Sequence, residues 1–176
     1  MGRLYYITGG AGSGKSEYAE QLAERLHAEL AGPLYYVATM HPAPRDSDAA
    51  ARIAKHQKRR AGRGYTTIEC PTDIAQLRAH TLKNAVFLLE DLTNLYANEV
   101  YGTSGHPHEI VAPLLELTQQ VGALIIVANE LYSDGITYAP ETAMFLRDLG
   151  GIAVALSTAA DQVTEVVYGI PVQLKA

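Results

Sequence analysis

Residues Gly9–Ser16 read GGAGSGKS and fit the phosphate-binding pattern G-x-x-x-x-G-K-[ST] with nothing left over. A short apolar and aromatic run, Arg3–Thr8, comes before the motif and predicts a buried strand. After it, apolar residues at four-residue spacing predict an amphipathic helix over Ser16–Leu30. Glycines let consecutive backbone N–H groups turn inward, and the positive end of the helix strengthens their attraction for anions. The stretch therefore predicts a loop that holds nucleotide phosphates.

Each residue of this loop is a candidate nucleotide contact: Gly9, Gly10, Ala11, Gly12, Ser13, Gly14, Lys15 and Ser16. We expect Lys15 to reach the β- and γ-phosphates and the Ser16 hydroxyl to bind Mg²⁺. The alternative is a glycine-rich turn that contains Gly-Lys-Ser by coincidence. The complete motif and its place between a strand and a helix disfavour that alternative, although the motif does not name a reaction.

A metal on a bound triphosphate needs a second acidic group, which normally follows a neighbouring buried strand. Glu90 and Asp91 come directly after the apolar run Ala85–Leu89 and are the candidates. Side chains alternate along a strand, so only one of the two is expected to point at the site. Two surface carboxylates at a strand end remain the alternative interpretation.

The rest of the chain predicts an α/β fold of one domain, residues 1–176. Further strands are predicted at Leu34–Thr39, Tyr65–Glu69, Ala85–Leu89 and Ala123–Ala128. Helices are predicted at about Ala49–Arg60, after Pro71, between Ala85–Leu89 and Gly102, at Glu109–Gln120 and at Glu141–Leu149. The strands lack polar alternation, which is typical of a parallel sheet covered by helices on both faces. Val163–Val167 and Ile170–Leu174 predict a final β-hairpin around Tyr168-Gly169.

Composition excludes several classes of protein. With 48% hydrophobic and 19% charged residues over 176 positions, the chain has the balance of a globular domain rather than a disordered one. The longest clean apolar run, Val121–Ala128, is too short for a membrane span, which needs roughly 18 residues. A single cysteine, Cys70, excludes an intramolecular disulfide and a CxxC metal site. We therefore expect a soluble, cytoplasmic protein.

One segment is strongly basic although the formal net charge is −5. Arg52–Arg63 reads RIAKHQKRRAGR and holds six of the 14 basic residues without a carboxylate. Such a patch on an anionic protein suits a small polyanionic ligand. Nucleic-acid binding is disfavoured because the basic residues are confined to this segment and the chain has no Trp and only two Phe for stacking.

His56 lies inside the basic segment. On a helix over Ala49–Arg60 it shares one stripe with the cations Arg52, Lys55 and Arg59, and the same spacing extends the stripe to Arg63. These charges keep its imidazole neutral near pH 7, so that it could attack a phosphate and form a covalent phosphoramidate. The alternative is an exposed histidine on a solvated helix face.

These elements together resemble one family, the bifunctional adenosylcobinamide kinase/adenosylcobinamide-phosphate guanylyltransferases of cobalamin biosynthesis. The resemblance covers essentially the whole chain. Beyond the phosphate loop it rests mainly on YYVAT at Tyr35–Thr39, ARIAKH at Ala51–His56, LLEDLT at Leu88–Thr93 with Asn98 beyond it, and ANE at Ala128–Glu130. The Arg-Ile-x-x-His element joined to a phosphate loop is its most specific part.

The resemblance implies an α/β P-loop domain similar to the RecA core, associating as a homotrimer. It implies two catalytic residues: His56, which becomes guanylylated, and Lys15 of the phosphate loop. Family members usually carry cysteine where Asp91 stands, so Glu90 is expected to serve the metal together with Ser16. The positions that match nucleotide contacts outside the loop are Ala38, Thr39, Met40, Gln57, Lys58, Arg59, Arg60, Glu69 and Glu90.

The implied chemistry has two halves that use ATP or GTP with Mg²⁺. The terminal phosphate first passes to the aminopropanol hydroxyl of adenosylcobinamide. His56 then takes GMP from GTP and gives it to adenosylcobinamide phosphate, forming adenosylcobinamide-GDP. Two alternatives stay open: a small-molecule kinase in which His56 is a bystander, and a nucleotide-dependent regulatory protein without turnover.

Overall fold

The computed structural model describes residues 2–40, 54, 58, 60–102 and 109–176. Within these residues seven strands form one sheet: β1 Arg3–Thr8, β2 Leu34–Ala38, β3 Tyr65–Glu69, β4 Val86–Glu90, β5 Ala123–Val127, β6 Gln162–Val167 and β7 Ile170–Lys175. Their order across the sheet is β3-β2-β4-β5-β1-β6-β7, and each pair is parallel except the hairpin β6–β7. The predicted parallel sheet and final hairpin are confirmed.

Alternation along the strands divides the apolar residues between the two faces of the sheet. The described helices are α1 Lys15–Leu30, α2 Leu92–Tyr101, α3 Val111–Gln120, α4 Pro140–Ala159 and a 3-10 helix over Ile74–His80. Leu22 and Leu26 of α1 pack with Leu88 on one face. On the other face, residues of the remaining described helices pack against Phe87 and Leu89. Helices cover both faces, as the sequence predicts.

Two helix predictions differ from the structure. The segment after Pro71 forms a 3-10 helix rather than an α-helix, beginning beyond Asp73, whose φ of 51° is left-handed and whose N–H donates to Glu99 Oε1 at 2.6 Å. The prediction that the helix from Glu141 ends at Leu149 is wrong, since α4 continues to Ala159. Leu156 is fully buried on this extension, so core packing outweighs the low helix propensity of Gly150-Gly151.

The predicted helix over Ala49–Arg60 lies mostly outside the described residues, although Ala54, Lys58 and Arg60 are helical. Within the described part of the chain, no helix is both long enough and apolar enough to cross a membrane.

Candidate nucleotide site

The glycine-rich loop joins β1 to α1 at the carboxyl edge of the sheet, as its sequence predicts. Gly9 has a φ of 153°, and a Cβ there would lie 2.5 Å from the Val166 carbonyl oxygen, so only glycine fits. Gly14 occupies the N-cap of α1 with a left-handed φ of 94° and supplies no side-chain cap. The first N–H groups of α1 are therefore available to an anion, which the helix dipole attracts.

Three contacts hold this loop in place. Lys15 Nζ donates to the Gly10 carbonyl at 3.0 Å, the Glu130 N–H donates to the Gly9 carbonyl at 3.0 Å, and the Gly169 N–H donates to the Ser13 carbonyl at 2.8 Å. Through the last contact, the tip of the β6–β7 hairpin lies directly against the glycine-rich loop. The sequence predicts the hairpin, but nothing in it indicates that the tip reaches the loop.

Lys15 is 7% exposed and lies near two carboxylates. Burial lowers the pKa of its ammonium group, and the charges of Asp91 and Glu90 oppose that change. Both acidic candidates thus lie within electrostatic reach of the lysine, whereas strand alternation predicts only one of them at the site.

The two carboxylates differ in what they already bind. Asp91 caps α2: its Oδ1 accepts from the Asn94 N–H at 2.7 Å, and its Oδ2 accepts from the side-chain amides of Asn94 and Asn129 at 3.1 and 3.2 Å. Burial raises the pKa of Asp91, and the bond from the Asn94 N–H opposes this. Asp91 is therefore engaged in holding α2 and the residues after β5.

Glu90 ends β4 on the face that α1 covers, because it alternates in step with Leu88. Tyr36 lies beside it, and burial, followed by the charge of Glu90, raises the pKa of the Tyr36 hydroxyl. The strand register aligns Ala38 with both Glu69 and Glu90. Three predicted contact positions therefore lie side by side at the carboxyl edge.

Thr39 fixes the ends of two strands. Its side chain is fully buried, and its Oγ1 donates to the Asp91 carbonyl at 2.8 Å and accepts from the Asp91 N–H at 2.7 Å. The Asn98 side-chain amide donates to the Thr39 and Pro71 carbonyls at 2.7 and 2.9 Å. Asn98 and Asn129 thus support the site, and only their places in the family-like elements LLEDLT…N and ANE signal them in the sequence.

The basic segment reaches the site at its carboxyl end. Arg60 is 6% exposed, and its guanidinium carbon lies 3.2 Å from the centroid of the Tyr36 ring. Its Nε and Nη1 atoms are buried and have no hydrogen-bond partner within the described part of the chain. Lys58 is exposed. The remaining predicted positions here, His56, Gln57 and Arg59, lie outside the described residues.

The sequence spacing would allow Arg63 to extend the cationic helix stripe, but in the structure it does not. It lies in the turn after Arg60 and forms ion pairs with Glu20 and Glu24 of α1, with closest N–O distances of 3.1 and 2.8 Å. Spacing within the segment could not reveal this, because the carboxylates that neutralise Arg63 come from a helix about 40 residues earlier.

Solved structures show which fold the chain has. The chain is similar to the flagellar accessory protein FlaH from Methanocaldococcus jannaschii, with a TM-score of 0.54, 14% identity and coverage of 98% of this chain and 78% of that one. It is also similar to a KaiC-like protein from Pyrococcus horikoshii, with a TM-score of 0.50, 14% identity and coverage of 93% and 70%. With the glycine-rich loop, this fold defines a RecA-like P-loop protein. The family model for cobinamide kinase / cobinamide phosphate guanyltransferase matches residues 5–174, and the chain belongs to that family.

Curated relatives extend over nearly the whole chain. The bifunctional adenosylcobalamin biosynthesis protein CobP of Pseudomonas aeruginosa is 31% identical over 175 residues, covering 96% of this chain and 95% of the relative. The corresponding CobU of Escherichia coli is 30% identical, covering 98% and 99%. The predicted family and its bifunctional enzyme class are confirmed.

Proposed function

We propose that this chain, acting as one catalytic domain, transfers a phosphoryl group from ATP or GTP to adenosylcobinamide and then a guanylyl group from GTP to adenosylcobinamide phosphate. The observation that carries the proposal is the juxtaposition of the P-loop, Glu90 and the buried Arg60 at one edge of the sheet. The proposed acceptors, cobinamide and cobinamide phosphate, are taken from the family to which the chain belongs.

The residues present fit a nucleotide and its metal. The uncapped start of α1 and the close approach at Gly9 leave a cradle that side chains would fill. Lys15 would hold the β- and γ-phosphates, while Ser16 and Glu90 would hold Mg²⁺ through the nucleotide. The metal would neutralise charge on the phosphate oxygens. Glu90 is assigned this role because it ends β4 at the carboxyl edge within electrostatic reach of Lys15, whereas Asp91 caps α2.

His56 is the proposed nucleophile of the second half-reaction. Its ring nitrogen would form a bond to the α-phosphorus of GTP as the bond to the bridging oxygen breaks, releasing pyrophosphate, and the ring N–H proton passes to solvent. A phosphate oxygen of adenosylcobinamide phosphate would then attack the same phosphorus, the bond to His56 would break, and the acceptor would carry the GMP. Arg60 supports this proposal, because its buried Nε and Nη1 atoms suit a phosphate oxygen.

Labelling separates the two half-reactions. Incubation with GTP labelled at the α-phosphate should leave acid-labile label on the wild-type protein and none on His56→Ala, because only the imidazole forms the covalent bond. Phosphoryl transfer to cobinamide from γ-labelled nucleotide should largely persist in the same variant. His80→Ala is the matched control, since His80 is exposed and contacts the ring of Tyr35 rather than the site.

The same experiment distinguishes the alternatives. A wild-type chain that phosphorylates cobinamide but never retains α-label is a simple kinase. Tight nucleotide binding without either transfer indicates a regulatory protein. Equal loss of both activities in His56→Ala would contradict the assignment of the histidine to one step.

We also propose that the chain assembles as a homotrimer in the cytoplasm and does not bind nucleic acid. The apolar residues of β7, Ile170, Val172 and Leu174, are exposed in the single chain, and a subunit contact would cover some of this surface. The proposed substrates ATP and GTP support a cytoplasmic site of action. The net charge of −5 disfavours a long polyanion such as nucleic acid.

A further inference from the structure

A buried carboxylate on α1 anchors the end of the basic segment. The side chain of Glu20 is 1% exposed, and its Oε2 accepts from Arg63 Nη1 at 3.1 Å. Arg63 Nη2 donates to Glu24 Oε2 at 2.9 Å, so one guanidinium binds two carboxylates one helical turn apart. A buried carboxylate without a partner costs free energy, so the Glu20–Arg63 ion pair favours one position of Arg63 along α1.

The spacing on α1 connects this anchor to the P-loop. Ser16, Glu20 and Glu24 are four residues apart and share one face of the helix, whose rise places successive members about 6 Å apart along the axis. Arg63 therefore binds carboxylates that lie one and two turns along α1 from the serine that would bind the metal.

Two further contacts fasten the same stretch. The Tyr65 hydroxyl donates to the Glu20 carbonyl at 3.2 Å, and Arg60 stacks on the Tyr36 ring. The chain from Arg60 to Tyr65 is thus tied to α1 and to β2. In the sequence this stretch begins four residues after His56.

We propose that Glu20 is a positioning residue for guanylyl transfer, acting through Arg63 to set where the basic segment meets the nucleotide. This inference rests on the proposed role of His56. Phosphoryl transfer relies on the loop, whose contacts to Lys15, to the hairpin tip and to the residues after β5 do not use the Glu20–Arg63 pair. Loss of the pair should therefore affect the two half-reactions unequally.

The test is Glu20→Gln, which keeps the volume and removes the charge. The rate of α-label uptake should fall by about tenfold to a hundredfold, the effect of misplacing a reacting group by about 1 Å. The kcat of cobinamide phosphorylation should stay within about twofold. The matched control is Glu29→Gln. Glu29 lies on the same helix as Glu20 and forms an exposed ion pair with Arg3 of β1, so its loss should change neither rate.

A double-mutant cycle tests the route of the effect. If Glu20 acts through Arg63, Arg63→Gln should reproduce the selective loss, and the double variant should lose no more than either single one. Arg63→Gln also replaces Glu20→Gln should the latter fail to fold. Additive losses, a parallel fall in both activities, or no fall in label uptake would overturn the inference.

Failure of the proposed function has a different signature. A wild-type chain without α-label overturns the role of His56 and this inference together. Label that disappears in His56→Ala but is taken up at the wild-type rate by Glu20→Gln overturns the role of Glu20 alone.

Discussion

The Thr39 hydroxyl shows how one small side chain can hold the ends of two strands. It is fully buried and both donates to the carbonyl and accepts from the N–H of Asp91. Since Asp91 also caps α2, this residue connects β2, β4 and the following helix at the site. A nucleotide contact at Thr39 stays a prediction from the resemblance. What the structure shows for its hydroxyl is the pair of hydrogen bonds to the Asp91 backbone.

Removing that hydroxyl should destabilise the protein. Thr39→Val leaves the buried Asp91 N–H without its acceptor, so the free energy of unfolding should fall by about 1–3 kcal/mol. Urea denaturation followed by circular dichroism measures the change. Thr39→Ser retains the hydroxyl and should lose clearly less, whereas equal losses in both variants would mean that the methyl group, not the hydrogen bond, matters.

At the scale of elements, α4 continues through a Gly-Gly pair that the sequence favours as an end. A Cβ placed on Gly150 would lie 3.7 Å from the Tyr132 ring, and Gly151 faces open space. Leu149 and Leu156 are both buried against the core, so packing holds the helix on either side of the glycines.

A side chain at Gly151 should strengthen α4. Gly151→Ala is expected to raise the free energy of unfolding by about 0.5–1 kcal/mol, because alanine loses less backbone entropy in a helix and meets no atom here. Chemical denaturation tests this directly. Gly9→Ala is the opposite case, since its Cβ would lie 2.5 Å from the Val166 carbonyl oxygen, and it should destabilise the chain and abolish nucleotide binding. A loss of stability in Gly151→Ala would contradict the helix as described.

At the scale of the whole molecule, the described residues form one sheet with a buried core on each face and an exposed last strand. The central strands β4 and β5 are almost wholly buried, whereas every residue of β7 is exposed. An exposed apolar edge strand is a surface that proteins usually cover. In this chain the same hairpin also contacts the P-loop, so a subunit contact on β7, as proposed, would involve the element that bounds this loop.

Assembly can be measured without knowing the interface. Sedimentation equilibrium should give a mass about three times the 19.0 kDa of one chain across a tenfold concentration range. The same run in a denaturant concentration above the unfolding midpoint is the control and should give the mass of one chain. A native species of one-chain mass at each concentration would rule out the proposed trimer.

Much of the fold and the glycine-rich loop of the candidate site follow from local patterns. Apolar runs such as Ala123–Val127 predict buried strands because burial of both faces requires them. GGAGSGKS predicts its loop because this spacing of glycines and lysine suits a phosphate-binding turn before a helix. The residues after the loop are harder. The spacing alone could not rank Glu90 against Asp91, and in the structure both lie near Lys15.

The sequence by itself determined the class of fold, the phosphate-binding loop and, through its family-like elements, the kind of enzyme. Only the tertiary structure decided that Asp91 caps a helix, that the hairpin tip bounds the loop, and that Glu20 neutralises Arg63. The physical reason is range: propensity and periodicity act between residues a few positions apart. A buried ion pair or hydrogen bond instead depends on which distant segments the folded sheet brings within about 3 Å.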